Sequence, residues 1–367
     1  MFRPGAAEKV HNCSHRKPVP EIAQTIEHPL HPGRSRLAGM TAALSPWRLC
    51  VAPMMEWTDR HCRYFHRLLA PDARLYTEMV VAQAAIHGDR ARLLGFDAAE
   101  HPLALQLGGS DPALLATAAR IGVEFGYDEI NLNCGCPSDR VQSGRFGACL
   151  MLEPALVAEG VAAMRAVVPA HVPVTVKCRL GVDEHEDEDF FRRFVDTVAA
   201  AGCSVFIVHA RKAWLNGLSP RENREIPPLD YGRVRRLKAD RPELTVVLNG
   251  GLRESADIQD ALLSLDGVMI GRAAYHEPYL LSLWQQALFA RPKAALSRAQ
   301  ILERMRPYIA AHLAAGGEVR HVARHLLGLY QGAPGARAYR RTLSEARPGT
   351  GVDVLDQAMA CVERQAA

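Results

Sequence analysis

Eight short apolar runs, separated by longer stretches with helical periodicity, constrain the fold of this 367-residue chain more than any other feature. Apolar strands that alternate with helices are typical of parallel β-α units. Eight such units in about 240 residues predict one closed α/β barrel of the TIM (β/α)8 type. An open doubly wound sheet is the alternative, but no GxGxxG sequence follows the first run. The runs end near the following residues: Pro53, Glu78, Leu107, Asn133, Lys177, His209, Asn249 and Gly271.

Helix-start signals lie where the barrel needs its crossover helices. Ser110 and Asp111 offer a cap ahead of Pro112 and the segment ALLATAARI, and Glu153 with Pro154 precedes ALVAEGVAAM. Serine and aspartate are favoured just before a helix, and proline is favoured in its first turn. We therefore expect crossover helices to begin at both places.

The strand-like runs cease after about residue 291, where amphipathic helical patterns such as RAQILERMRPYIAAHL take over. We therefore predict a flexible N-terminal arm over residues 1–45, the barrel over 46–290 and a helical bundle domain over 291–367. From Arg291 to Arg347 eleven Lys or Arg oppose three Glu, a local excess of eight positive charges. This excess indicates a polyanionic partner, although charge alone also fits a solvated helical face.

The composition, 48% hydrophobic and 23% charged, is that of a folded globular protein and excludes disorder of the whole chain. No run approaches the roughly 18 apolar residues of a membrane-spanning helix, and the first residues lack the apolar core of a signal peptide. Nine cysteines without regular spacing fit reduced thiols rather than a disulfide framework. We therefore expect a cytoplasmic protein with no membrane association.

Polar residues stand at the ends of five predicted strands, namely Gln106, Asn133, Lys177, His209 and Asn249. The working face of this barrel class lies at the carboxyl ends of its strands. Any one of these residues alone could be a cap or a satisfied core group, but five that converge predict a ligand site.

Glycine turns follow the last two strands, in LNGGL (Gly250 and Gly251) and in MIGRAAY (Gly271 and Arg272). The loops after strands seven and eight are the usual phosphate site of this fold. Lys177 would then face the ring system of a phosphorylated cofactor, together with the histidine of strand six. The alternative for this lysine is a structural ion pair with a carboxylate such as that of Glu78.

The segment NLNCGCPSDRVQSGRFGACLM, after the fourth strand, is long for a β-α loop and indicates an active-site lid. Cys136 lies in it between a glycine and a proline. A thiol with an ordinary pKa of about 8.5 is mostly protonated at neutral pH and can donate a proton to a carbanion. Cys134 and Cys136 form a CxC pair, but no second pair with suitable spacing follows, so no metal site is expected.

The chain resembles the tRNA-dihydrouridine synthases, specifically their bacterial A subfamily, from about Trp47 to its end. The resemblance rests on long segments in the same order, which are APMMEWTDRHCRYF, YTEM, ALQLGGSDP, YDEINLNCGCPSDRVQSGRFGACLM, VTVKCRLGVD, VHARKAWLNGLSPRENREIPPLDY, LNGGL, DGVMIGRAAYHEPYLL and RHLLGLYQGAPGARAYRR. It implies a TIM-type barrel that holds FMN, followed by a helical tRNA-binding domain.

The resemblance also implies site residues and a reaction. NADPH would reduce FMN, the flavin would pass hydride to C6 of a D-loop uridine at position 20 or 20a, and Cys136 would protonate C5. The partner would be tRNA, and no stable protein partner is predicted. The implied FMN-binding residues are Pro53, Met54, Met55, Gln106, Lys177, His209, Asn249, Gly250, Gly251, Gly271 and Arg272. The implied tRNA-contacting residues are Asn133, Arg221, Arg224, Arg337 and Arg340.

Two features depart from the family pattern, and two other functions remain open. Cys134 stands where a small apolar residue is expected, so it is either inert packing or a disulfide partner of Cys136 under oxidation. The N-terminal arm exceeds the family pattern, so nothing transfers to it. The nearest rival is an FMN-barrel oxidoreductase that acts on a free pyrimidine or another small molecule. The other rival, a noncatalytic RNA-binding protein, would have no need for Cys136, Lys177 and His209.

Overall fold

The computed structural model describes residues 44–289 and 295–366. The predicted N-terminal arm lies outside the described residues except for its last two. The predicted boundary between the barrel and the helical domain also falls outside them, so that boundary stays a prediction.

Nine strands form a single sheet in which every pair is parallel. The sheet runs in the order β1-β9-β8-β7-β6-β5-β4-β2, and β3 also pairs with β4. The strands are β1 (Leu49–Val51), β2 (Leu75–Tyr76), β3 (Val80–Val81), β4 (Leu103–Gly108), β5 (Glu129–Cys134), β6 (Val174–Arg179), β7 (Val205–His209), β8 (Thr245–Asn249) and β9 (Gly267–Ile270).

A short parallel bridge between Cys50 and Arg74 joins β1 to the start of β2. The Val51 N–H donates to the Arg74 carbonyl, and the Arg74 N–H donates to the Leu49 carbonyl, both at 2.9 Å. The two ends of the sheet therefore meet, and the predicted TIM-type barrel is confirmed, with β2 and β3 together occupying one of its eight strand positions.

The second barrel strand is split because a side chain interrupts its ladder. The Thr77 N–H donates to the Ala104 carbonyl, as the ladder requires. The next N–H on the neighbouring strand, that of Gln106, donates instead to the Thr77 hydroxyl at 3.0 Å. The eight apolar runs predicted from sequence thus match the eight strand positions, but the second position holds two short strands, β2 and β3.

Two apolar layers hold the barrel together. Side chains on one face of the strands fill its interior, among them Tyr76, Ile207 and Met269. Side chains on the other face pack against the surrounding helices, among them Leu105 and Leu132. This alternation follows from the period of two along a strand.

Helices cover the outside of the barrel, and the predicted helix starts at residues 112 and 154 are confirmed. Asp111 caps α4 by accepting from the N–H groups of Ala113 and Leu114. The helices before the gap in the described residues are α1 (Arg60–Leu69), α2 (Ala82–His87), α3 (Arg90–Leu94), α4 (Pro112–Phe125), α5 (Asp139–Ser143), α6 (Pro154–Arg165), α7 (Glu188–Ala200), α8 (Tyr231–Asp240), α9 (Ser255–Ala261), α10 (Arg272–His276) and α11 (Tyr279–Leu288).

The described residues after 294 are helical without strands, as the predicted bundle requires. They form α12 (Arg298–Ala314), α13 (Val319–Leu326), α14 (Ala336–Ser344) and α15 (Val354–Ala366). Tyr308 of α12 stacks on Tyr64 of α1, with ring centroids 4.0 Å apart. On α13, His325 lies 3.0 Å from Asp59, the residue that caps α1. The helical region is therefore anchored on the first helix of the barrel.

None of the helices in the described part of the chain is long and apolar enough to cross a lipid bilayer.

Candidate active site

The carboxyl end of the barrel, called the mouth below, gathers the polar residues that the sequence placed at strand ends. Gln106 lies in β4, Asn133 in β5 and Lys177 in β6, while His209 and Asn249 end β7 and β8. Asn133 is the direct partner of Lys177 across β5 and β6, and His209 is the partner of Asn249 across β7 and β8. Because every strand is parallel, these residues share one end of the barrel.

Backbone rather than side chains faces the mouth after β8. Gly250 and Gly251 have φ angles of 114° and 69°, a region in which other residues are strained. A Cβ on Gly250 would stand 2.6 Å from Cδ2 of His209. At Gly271, after β9, a Cβ would meet nothing closer than 3.6 Å. The predicted glycine turns are therefore present, and two of the three require glycine.

The loop after β1 folds back on itself beside Gly271. The Met54 N–H donates to the Thr58 hydroxyl at 2.9 Å, and the Met54 carbonyl accepts from the Thr58 N–H at 2.9 Å. The Met54 sulfur lies 3.6 Å from where a Cβ of Gly271 would be. Pro53 and Met54 are half-buried, whereas Met55 is 57% exposed. Met54 is thus tied to the wall of the mouth, and Met55 is open to solvent.

Lys177 and His209 lack an ion-pair partner in the described part of the chain. Lys177 is half-buried and forms no ion pair within residues 44–289 and 295–366; Glu78, its predicted alternative partner, accepts instead from the Glu56 backbone N–H. Burial and, to a smaller extent, the nearby Arg179 together lower the pKa of Lys177 to about 8. Burial also holds the pKa of His209 well below its usual value, so this imidazole is neutral at pH 7.

Cys136 lies on a loop that is folded by its own hydrogen bonds. Its N–H donates to Oδ1 of Asn133 at 3.0 Å, and its carbonyl accepts from the Ala148 N–H at 2.9 Å. Gly147 has a φ of 78°, and a Cβ there would lie 2.5 Å from the Cys136 carbonyl oxygen. Only glycine therefore lets the chain fold back this closely against Cys136. The thiol is half-buried and 3.4 Å from the Ser138 hydroxyl. The sulfur is therefore held in place and remains partly accessible.

Cys134 belongs to a different environment. It is fully buried in the core outside the barrel and pairs in register with Cys178 of β6. The cysteines of the described residues are all free. Packing therefore accounts for Cys134, and no disulfide joins it to Cys136.

Arg179 is a buried cation of the mouth that the sequence analysis missed. Its guanidinium donates to the carbonyl oxygens of Gly135 at 3.0 Å, Lys212 at 3.0 Å and Asn223 at 2.8 Å. It has no carboxylate partner in the described part of the chain, and burial lowers its pKa to about 10. Arg179 thus joins the Cys136 loop to the loop after β7. The available signal was the strand sequence VTVKCR, in which every second residue is polar.

Positive charge accumulates around this loop. Burial and the nearby Arg272 both lower the pKa values of Arg211 and Arg224. Arg272 lies 2.6 Å from a carboxylate oxygen of Glu225 and donates to the Arg224 carbonyl at 3.2 Å. Arg221 is exposed and 3.7 Å from the same carboxylate. One glutamate is therefore shared among several arginines, which leaves the mouth positively charged.

Cys136 is close enough to three of these cations to interact with them electrostatically. Its negative form would raise the pKa values of Lys177, Arg179 and Arg224. Cys136, Lys177 and Arg224, which were predicted as the acid, the ring-facing lysine and an RNA contact, therefore lie near one another at the mouth.

Arg337 and Arg340 lie apart from this cluster, on α14. Arg337 is exposed, and Arg340 is half-buried and donates to the side chain of Gln331. Neither forms a hydrogen bond or ion pair with the strand-end residues among the residues described. The structure therefore gathers the predicted barrel residues at one mouth but leaves these two on the helical region.

Comparison with known proteins identifies the family. The family model for dihydrouridine synthases matches residues 50–365. A solved structure of a 2-naphthoyl-CoA reductase complex matches with a TM-score of 0.51 at 11% identity, over 67% of this chain and 50% of that one, which supports the fold alone.

Bacterial relatives match over most of their length. A protein of Xanthomonas axonopodis pv. citri named tRNA-dihydrouridine(20/20a) synthase is 63% identical over 314 residues, 85% of this chain and 93% of that protein. Proteins of the same name from Shewanella oneidensis and Vibrio cholerae are 56% and 55% identical, over 85% and 87% of this chain and 93% and 97% of their own. The chain therefore belongs to the dihydrouridine synthase family of flavin-dependent oxidoreductases.

Proposed function

We propose that this protein is a tRNA-dihydrouridine synthase that reduces the C5=C6 bond of uridines 20 and 20a in the D-loop of tRNA. The observation that carries the proposal is the grouping of Cys136 with Lys177 and Arg224 at one barrel mouth. It occurs in a chain that is 63% identical to a relative with that name. Acting on tRNA, the enzyme would work in the cytoplasm.

The mouth fits FMN as the resident cofactor, and we assign NADPH as the reductant. Lys177 has no ion-pair partner in the described residues, and the arginines beside it share a single glutamate, so an anionic phosphorylated ligand would offset their charge. The glycine turns leave room for a phosphate to reach backbone N–H groups. The residues we assign to FMN are Pro53, Met54, Met55, Gln106, Lys177, His209, Asn249, Gly250, Gly251, Gly271 and Arg272.

Two hydrogens must reach the uracil ring from different sources. When bound and reduced by NADPH, FMN supplies the hydride that adds to C6. The Cys136 thiol supplies the proton that C5 then takes, and the loop around it holds the sulfur in place. Ser138, 3.4 Å from the sulfur, accompanies the thiol on this loop.

The target uridine must leave its stack to enter the mouth, which costs a few kcal/mol that RNA contacts must offset. We assign these contacts to Asn133, Arg221, Arg224, Arg337 and Arg340. Arginine suits the role because its planar guanidinium both binds phosphates and stacks on bases. Arg221 and Arg337 are exposed, so both are accessible to a phosphate.

The test is to incubate the flavin-loaded protein with NADPH and a tRNA transcript that lacks dihydrouridine. We expect NADPH oxidation to be coupled to dihydrouridine at positions 20 and 20a, mapped by primer extension after alkaline cleavage. A matched transcript with cytidine at both positions should give neither product nor coupled oxidation. Modification at other uridines only would overturn the positional assignment.

The rival activities predict different results in the same assay. An oxidoreductase for free pyrimidines would oxidise NADPH with uracil or uridine as well as with tRNA. A noncatalytic RNA-binding protein would bind the transcript without any change in flavin or nucleoside. Either result would refute the proposed function.

Replacing the proposed acid tests the chemistry separately from binding. Cys136→Ala should keep FMN and tRNA binding and should reduce uridine at least about 100-fold more slowly, since general acid catalysis contributes about that much or more. Cys149→Ala is the matched control, because Cys149 is also half-buried and follows the same loop. Full activity of Cys136→Ala would remove this thiol from the mechanism.

A further inference from the structure

A chain of hydrogen bonds starts at a buried carboxylate inside the barrel. The Thr175 hydroxyl donates to Oε1 of Glu129 at 2.5 Å and accepts from Nδ2 of Asn131 at 2.8 Å. All three residues have no solvent exposure. They lie on the interior face of β5 and β6, deeper in the barrel than the strand-end residues.

The chain continues to the Cys136 loop. Oδ1 of Asn131 accepts from Nε2 of Gln106 at 2.7 Å, and Oε1 of Gln106 accepts from Nδ2 of Asn133 at 2.9 Å. Oδ1 of Asn133 then accepts from the backbone N–H groups of Gly135 and Cys136, both at 3.0 Å. Six hydrogen bonds thus connect Glu129 to the loop without a gap.

The loop end forces the direction of every amide. The two backbone N–H groups can only donate, so Asn133 must turn its oxygen to the loop and its NH2 group to Gln106. Gln106 must then present its oxygen to Asn133 and its NH2 group to Asn131. The same rule makes Asn131 a donor to Thr175. Such networks are what distinguishes amide oxygen from nitrogen in a structure.

The carboxylate end forces the same direction independently. Around Glu129 stand Trp47 and Tyr76, which donate at 2.8 Å each, and Arg74, an ion-pair partner at 3.2 Å. Because the carboxylate can only accept, the Thr175 hydroxyl must donate its single hydrogen bond to Glu129. The Thr175 oxygen can then only accept from Asn131.

We propose that Glu129 and Thr175 are positioning residues for the reduction of the uridine. Acting through Asn131 and Gln106, they help to fix the orientation of the Asn133 amide. Its oxygen then faces the Cys136 loop, and its NH2 group is the only part that can donate a hydrogen bond to a substrate. This inference rests on the proposed function for its kinetic consequence. The oxygen of Asn133 already accepts two hydrogen bonds, whereas one of its amide protons has no partner among the described residues. A uracil carbonyl is an acceptor that this proton fits.

The kinetic test compares three buried substitutions. Thr175→Val keeps the side-chain shape but removes the hydroxyl, so Asn131 loses its acceptor and the row of amides is held from the loop end alone, no longer from Glu129 as well. Thr175→Ser keeps the hydroxyl and is the conservative rescue. Tyr76→Phe is the matched control, because it removes another hydrogen bond to Glu129 that lies off the chain. Flavin reduction by NADPH and its reoxidation by tRNA are measured separately, at saturating FMN.

We expect Thr175→Val to slow reoxidation by tRNA at least about 10-fold, since small misplacements of reacting groups cost up to about 100-fold. Reduction by NADPH, which does not use Cys136, should change by less than about 2-fold on the same argument. Thr175→Ser and Tyr76→Phe should retain the wild-type pattern. Equal rates for the Val and Ser variants, or equal slowing by Tyr76→Phe, would overturn the proposal.

A second measurement needs no variant and no activity. Neutron diffraction from deuterated wild-type crystals shows which atom of each side-chain amide carries deuterium. We expect deuterated Nδ2 of Asn133 toward Gln106, and deuterated Nε2 of Gln106 toward Asn131. The reverse orientation of either amide would refute the chain, even if Thr175→Val fails to fold. If the wild-type enzyme leaves tRNA unreduced while the orientations hold, the proposed function fails and the positioning chain stands.

Discussion

Removing the Arg179 guanidinium should disturb the Cys136 loop more than it disturbs the fold. Arg179 donates to the carbonyls of Gly135, Lys212 and Asn223, and Gly135 directly precedes the cysteine. Arg179→Met keeps an unbranched apolar stem in the same buried place but ends about where Nε of the arginine stands. It leaves three buried carbonyl groups without their donor.

The size of the effect follows from two opposing contributions. Hydrogen bonds to a charged group contribute about 2 kcal/mol each, so three represent about 6 kcal/mol. Burial lowers the pKa of Arg179 from 12.5 to about 10. At about 1.4 kcal/mol per unit this lowering, to which burial contributes most and Arg224 and Arg211 also contribute, is a cost of about 3 kcal/mol that methionine avoids. We therefore expect Arg179→Met to lower the free energy of unfolding by about 3 kcal/mol.

The kinetic loss should be confined to the step that uses the thiol. With Gly135 released, a shift of Cys136 by about 1 Å should slow flavin reoxidation by tRNA about 100-fold. Flavin reduction by NADPH should stay near its wild-type rate. Stopped-flow absorbance of the flavin measures both steps, and thermal melting measures the stability.

Arg179→Lys separates geometry from charge. An ammonium keeps the positive charge but lacks the planar fork that reaches three carbonyls at once. We expect this variant to behave like Arg179→Met. Wild-type reoxidation in Arg179→Met would refute the positioning role, and full rescue by Arg179→Lys would show that charge rather than geometry matters.

Three further predictions concern the cofactor and the RNA. In the apoprotein the pKa of Lys177 is lowered to about 8, so its positive charge is lost as the pH rises through 8, and FMN affinity measured by fluorescence titration should fall above that pH. Lys177→Met should bind FMN about 10-fold or more weakly at pH 7 and show no such fall. Gly250→Ala, at a φ of 114° with Cδ2 of His209 only 2.6 Å from the new Cβ, should lose about 2 kcal/mol of stability in thermal melts and bind FMN poorly. Replacing Arg337 and Arg340 by alanine should weaken tRNA binding and lower the slope of log affinity against log salt by about 1 to 2, while reduction of the bound flavin by NADPH in the absence of tRNA stays unchanged.

The architecture of the barrel was readable from sequence because each parallel strand is a compact apolar run. The one difference, the split of the second strand position into β2 and β3, arises from the Thr77 hydroxyl, which takes the N–H of Gln106 out of the ladder. The pattern of apolar residues cannot predict a hydrogen bond between a side chain and the backbone of a neighbouring strand. Of residues 1–45 the structure describes only the last two, so the predicted arm stays a prediction.

The polar residues at strand ends predicted the residues of the mouth, but they did not predict the buried polar residues that support them. Glu129, Asn131 and Asn133 alternate with apolar residues along β5, and Thr175 begins the same alternation on β6. Such alternation in a strand of a closed barrel indicates a polar interior. Composition and strand ends alone did not reveal it, because a buried glutamate is expected only when donors surround it, and those donors come from distant parts of the chain.

In the proposed mechanism, the side chain of Arg179 would link RNA contact to proton donation. The carbonyls that Arg179 binds belong to two loops, one that carries Cys136 and one that carries Arg221 and Arg224. The positive charge of Arg224 contributes to the lowered pKa of the buried Arg179. An RNA phosphate bound to Arg224 would offset this repulsion. Binding of the substrate should therefore stiffen the loop of the acid, because the guanidinium that holds it becomes less costly to keep charged. Hydrogen exchange at Gly135 and Cys136 should slow on tRNA binding in the wild type and not in Arg179→Met; equal slowing in both would exclude this coupling.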